Sequence, residues 1–231
     1  LAVISGRLLG FSQRGTSALI LTSIMVNAGN YGIPLNTFAF GAAGGSVAIV
    51  YYVVSAMMGN ILGVFFASRG KFSAKEALLN VVRVPIAYAA VLGLIFNLLN
   101  VKLPTFIERA VIDIASGASI PLMLALLGLH LERVSLKRDK VDGDGDETLA
   151  TDMRALAIGV GLKLLVAPFV AVGFAMLLGM QGTVFDVAVV ESSMPTAILA
   201  TALATQFGGD ARYITAVTII STLASIVSLS I

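Results

Sequence analysis

The chain has 231 residues, 58% of them hydrophobic and 12% charged, with a mean hydropathy of +0.96. Soluble domains carry about 25% charged residues, so too little polar surface exists here to cover a water-facing globule, and disordered and nucleic-acid-binding chains are excluded with it. The absence of cysteine excludes disulfides and thiolate metal sites, the single histidine excludes a histidine-rich metal centre, and no cofactor is expected.

Apolar runs of bilayer length follow one another with short breaks, which predicts an all-α polytopic membrane protein whose first partner is the lipid bilayer. Residues 1–11 are apolar but too short to cross, and read as the tail of a span. Seven full spans follow, at 16–40, 46–68, 83–100, 105–131, 155–179, 184–207 and 212–231. Segment 69–82 is basic, with an amphipathic stretch at 74–82 suited to the interface. Segment 132–154 is the longest polar stretch and holds Asp142, Asp144, Asp146 and Glu147. That acidic run departs from a calcium-binding EF-hand loop, because Glu147 stands where glycine is needed and Met153 where the bidentate glutamate belongs. Gly41 and Gly45 sit at a span junction and read as a turn.

The loops alternate across the membrane, and their basic residues do not distribute evenly. One side collects Arg7, Arg14, the cluster from Arg69 to Arg83, the cluster from Arg133 to Arg154, and Arg212; the other holds Lys102 and Arg109. By the positive-inside rule, 69–82 and 132–154 are cytoplasmic loops of a cell-membrane protein and the C-terminus is extracytoplasmic.

Two spans are interrupted. Asn27-Ala28-Gly29-Asn30-Tyr31-Gly32-Ile33-Pro34 lies in the first, and Glu191-Ser192-Ser193-Met194-Pro195-Thr196-Ala197 in the sixth. Glycine, asparagine and proline in mid-membrane make a poor continuous helix, and freed backbone groups are tolerated there only where protein or a cavity satisfies them. Laid together without gaps, the two spans superpose Asn27 on Thr196 and run in opposite directions. Paired interrupted helices in inverted halves point to a secondary transporter's binding site, where helix N–H ends and short polar side chains meet a small anion. The candidate substrate-binding residues are Asn27, Asn30, Pro34, Asn60, Ser192, Ser193, Pro195 and Thr196. Pro34 is either a site contact or only a kink, and Asn60 either faces the site or joins neighbouring helices. Lys163 and Glu191 are ionisable residues inside spans. They read as an ion pair, or with Glu191 as a proton-coupling group, or alternatively as a snorkelling lysine and an interfacial glutamate; H⁺ or Na⁺ is the candidate coupling ion of the carrier. Asp113, Asp186 and His130 lie near span ends and read as solvated or interfacial.

At these residues the sequence resembles the auxin efflux carrier family, which includes the plant PIN-FORMED proteins and bacterial malonate-type carriers. Asn27, Gly32 and Pro34 match its Asn-Thr-Gly-x-x-Gly-x-Pro stretch, with Ala28 in place of the threonine. Pro121-Leu122 with Leu127-Gly128 and Leu131, the run from Lys163 to Pro168, and Met194-Pro195-Thr196-Ala197 follow in order.

The resemblance implies a 5+5 inverted-repeat transporter fold with a crossover of the fourth and ninth spans and extracytoplasmic termini. Residues 1–82 would then be the remainder of the first repeat and 83–231 the complete second. Two spans and most of a third, roughly 60–70 residues, would precede Leu1. The resemblance further implies elevator-type transport of carboxylates, auxin-like acids or dicarboxylates. Spans 83–100 and 105–131 would be scaffold, and the full-length protein a homodimer. The reading from another class is a non-transporting membrane subunit or sensor that keeps the fold. No paired intramembrane aspartates or nucleophile turn support an enzyme.

Overall fold

A computed structural model describes residues 1–67, 149–150, 152–207 and 209–230, with individual residues between 88 and 125. The regular elements among them are helices. They are α1 (Ala2–Leu8), α2 (Gln13–Ile24), α3 (Ile33–Ala67), α4 (Thr105–Glu108), α5 (Met153–Gly161), α6 (Ala167–Leu177), α7 (Thr183–Ser192), α8 (Ile198–Phe207) and α9 (Ala211–Ser228). Single π-helical turns, Ala28–Gly32 and Leu162–Val166, lead into α3 and join α5 to α6.

Local chemistry explains the starts and stops. Ser12 caps α2 by accepting from the Gly15 N–H at 3.1 Å. Asp152 and Asp210 cap α5 and α9 in the same way, accepting from Arg154 and Tyr213. α2 stops where Met25 turns extended, before the run of Asn and Gly, and α7 stops at Ser193, two residues before Pro195. Gly41 takes φ 68°, ψ −162° inside α3, a conformation open to glycine. The chain reverses there. In one straight helix residues 29 and 52 would stand roughly 34 Å apart, yet a Cβ on Gly29 would fall 2.7 Å from the Tyr52 ring. Ile33 and Ala48 share one apolar cluster with Val187. Gly45 lets the arms close, since a Cβ on it would lie 2.5 Å from Thr37 Oγ1. The chain therefore turns at Gly41 between two antiparallel arms, 33–40 and 42–67, with Gly45 in the first turn of the second.

Among the described residues three stretches are long and apolar enough to cross a membrane: Met153–Leu177, Ala211–Ser228 and Ala28–Gly63, the last of which reverses at Gly41. Helix length alone thus gives fewer spans than the hydropathy pattern. One reason is that the broken spans are divided. α2 has 12 residues and α7 and α8 have 10 each, too short to cross individually. The other is coverage. Spans 83–100 and 105–131, loops 69–82 and 132–154, Asp113 and His130 lie wholly or almost wholly outside the described residues. The stretch 1–11 gives the short helix α1, which packs on α2.

The packing places polar residues inside and apolar residues outside. α9 touches α2, α5 and α8, and it turns Thr218, Ser221, Thr222 and Ser225 inward. Tyr213 is buried at its start and donates to the Ala155 carbonyl at 2.9 Å. Outward stand Phe169 at 78% exposure and Leu177 at 80%, with Phe38, Phe174 and Ile226. Small polar residues allow helices to approach closely, and a greasy exterior suits lipid.

Candidate functional site

The two breaks meet. Between α2 and the turn Ala28–Gly32 the chain leaves the helix through Met25–Asn27; between α7 and α8 it turns at Ser193 and leaves the helix through 195–197. These segments cross antiparallel, with Val26 bridging Thr196. The Asn27 N–H donates to the Pro195 carbonyl at 2.9 Å, and the Ala197 N–H to the Met25 carbonyl at 2.9 Å. Thr196 is held further: its N–H donates to Ser221 Oγ at 3.3 Å and its Oγ1 to the Thr22 carbonyl at 2.9 Å. The Asn27 carbonyl accepts from Gly32. Backbone interrupted inside a membrane is left wanting partners, and here each break supplies them to the other.

Within the crossing itself, the N–H groups of Asn27, Thr196 and Ala197 are closed onto protein acceptors. Charge is supplied elsewhere. A cavity of about 290 Å³ flanks the crossing, lined by Val26 from one break, Ser192 from the other, Tyr51 and Ser55 from the second arm of α3, and Lys163. Ser192 Oγ donates to the Ala188 carbonyl at 2.7 Å, which uses its one hydrogen, so Tyr51 is the donor in the 3.1 Å contact between the two hydroxyls. Met58, Leu62 and Val170 supply apolar wall.

Lys163 stands in the π-helical turn between α5 and α6 at 2% exposure. Glu191, in the last turn of α7, is wholly buried. Both side chains are enclosed by protein. Glu191 Oε1 accepts from Asn36 Nδ2 at 3.0 Å. No hydrogen bond or ion pair joins Glu191 directly to Lys163 among the described residues; the two interact at longer range.

The remaining candidates divide. Asn27, Pro195 and Thr196 are buried together at the crossing, and Pro34 is buried just beyond it. Asn30 and Ser193 are half-buried and do not line the cavity; Ser193 Oγ donates to the Val189 carbonyl. Asn60 lies on the second arm of α3, with its side chain outside the described residues. Asp186 is exposed near the start of α7. Sequence reasoning did not single out Asn36, Tyr51 or Ser221. Asn36 carried a usable signal, a lone amide in the apolar run 33–40.

The model of a family described as membrane transport protein matches residues 1–231. The chain belongs to the membrane transport protein family. This is the auxin efflux carrier family that its motifs resemble. An uncharacterized transporter of Methanothermobacter thermautotrophicus is 32% identical over 229 residues, covering 99% of this chain and 71% of its own length. One of Methanocaldococcus jannaschii is 28% identical over 217 residues, covering 92% and 66%. A probable auxin efflux carrier component of Oryza sativa subsp. japonica is 26% identical over 152 residues, covering 64% and 38%. No solved structure matches. Members of this membrane transport protein family are transporters rather than enzymes, and membership together with the apolar helices places the chain in a membrane.

Proposed function

We propose that this chain forms the crossover region of a secondary transporter for small organic anions, and that the cavity beside Lys163 receives the anion. The observation that carries the reading is the position of Lys163, a buried cation on the wall of a cavity that both breaks also line. A buried ammonium is costly unless compensated, and a carboxylate entering the cavity supplies the compensation. A volume of about 290 Å³ suits a small acid, being at the low end for ligand pockets. Met58 and Val170 contact its apolar part.

Around this site the proposal extends to the architecture that the family resemblance implies. Residues 1–82 and 83–231 belong to two inverted repeats that cross at Val26 and Thr196. The basic loops 69–82 and 132–154 face the cytoplasm. The helices that carry the crossing move as one body against a dimeric scaffold, in an elevator-type cycle. The inverted relation is supported by the antiparallel meeting of the two breaks, and the orientation by the distribution of Lys and Arg.

Thermal unfolding of the chain in lipid nanodiscs, measured against a panel of mono- and dicarboxylates, tests the site. The expected result is a saturable rise in unfolding temperature with some of these acids, lost in Lys163→Met. No response to any acid contradicts the reading and favours a non-transporting subunit or sensor.

A further inference from the structure

Glu191 and Asn36 hold more buried oxygen than the crossing uses. Asn36, on the first arm of α3, and Glu191, at the end of α7, are both wholly buried. The Asn36 amide donates to Glu191 Oε1 at 3.0 Å and to the Gly32 carbonyl at 2.9 Å, which spends both of its hydrogens. Glu191 Oε2 and Asn36 Oδ1 are left without a hydrogen-bond partner. Gly32 presses its backbone on the same carboxylate, since any Cβ there would overlap the Glu191 oxygens. Buried acceptors in this number call for a positive partner, and Lys163 does not reach them by a direct bond.

We propose that Glu191 and Asn36 form a binding site for a monovalent metal cation of the hardness of sodium, coupled to anion binding at Lys163. The donors are hard oxygens, one carboxylate and one amide. Divalent calcium takes 6–8 oxygen ligands and usually several carboxylates, and no group of three or more His, Cys, Asp or Glu suited to a metal occurs among the described residues. One positive charge matches one carboxylate. The link to the cavity is covalent and short. Ser192 follows Glu191 directly, lines the cavity and accepts from Tyr51. A cation on Glu191 neutralises the carboxylate whose field offsets Lys163, so the lysine attracts an anion more strongly, and by reciprocity the anion tightens the cation. The coupling rests on the proposed anion site; the cation site does not.

The test is unfolding of the full chain in nanodiscs at one fixed pH and constant ionic strength, with sodium chloride exchanged for N-methylglucamine chloride. Sodium is expected to raise the unfolding temperature saturably, by on the order of 5 °C, with lithium able to substitute. Glu191→Gln and the milder Asn36→Ser are expected to lose this response, and Lys163→Met to keep it. Calorimetric titration of sodium into the unaltered chain gives the same answer without a variant. The absence of any sodium-specific shift or heat overturns the cation site, as does a sodium response that survives in Glu191→Gln. A response to sodium but to no carboxylate would sink the anion reading alone; a response to carboxylates but not sodium would sink the cation site alone.

Discussion

Gly32 concentrates the chemistry of the crossing into one residue. It ends the π-helical turn, donates to the Asn27 carbonyl, accepts from Asn36 and leaves room for the Glu191 carboxylate. The Gly32→Ala variant forces a methyl group into that carboxylate, and overpacking at a buried polar contact costs about 2 kcal/mol or more. Gly173→Ala is the matched control, since a Cβ there meets nothing within 4 Å, and within a helix it is expected to be neutral or stabilising by up to about 1 kcal/mol. Reversible unfolding of both variants in one lipid mixture checks the difference. The sequence showed Glu191 and Lys163 because ionisable groups stand out in an apolar run. It did not show Asn36, whose partner lies 155 positions away and which sits in the helical arm just after Pro34.

At the scale of the element, the two breaks are stable because their backbone groups find acceptors and donors in each other and in α9. Ser221 is the part of this that comes from outside the breaks. It accepts from the Thr196 N–H and donates to the Thr218 carbonyl. Ser221→Ala leaves the Thr196 N–H orphaned where water does not reach, at an expected cost of about 1–3 kcal/mol. Ser230→Ala, at an exposed hydroxyl that donates only along its own helix, is expected to be neutral; equilibrium unfolding of the pair decides. The breaks were legible because Asn27, Gly29, Gly32 and Pro34, and likewise Ser193 and Pro195, disfavour a continuous helix by known mechanisms. Which residues pair across the crossing was not legible, because that depends on where each strand of backbone leaves its helix. The reversal at Gly41 was legible from glycine spacing, whereas the close contact of Tyr52 with Gly29 across it required the folded chain.

At the scale of the whole molecule, a polar seam of Ser and Thr runs inside an apolar exterior. Composition announces this arrangement, since so few charges cannot cover a water-facing surface. The number of spans is harder to read. A run of hydropathy counts a broken helix as one crossing, while the chain divides it into two halves that each depend on the other break for hydrogen bonds. The account therefore stands on the contact between residues that are 170 positions apart in sequence, Val26 and Thr196. They face each other as a non-hydrogen-bonded antiparallel pair, flanked by the bonds from Asn27 to Pro195 and from Ala197 to Met25. Such pairs hold Cα atoms about 4.5 Å apart, within the range a disulfide accepts. The chain contains no cysteine of its own, so the double variant Val26→Cys, Thr196→Cys reports on this contact alone. Oxidation in native membranes, followed by mass spectrometry, is predicted to give an intrachain disulfide between the two positions in high yield. Two thiols that stay free, while both react with a membrane-permeant maleimide, would contradict the crossing and the proposed site beside it.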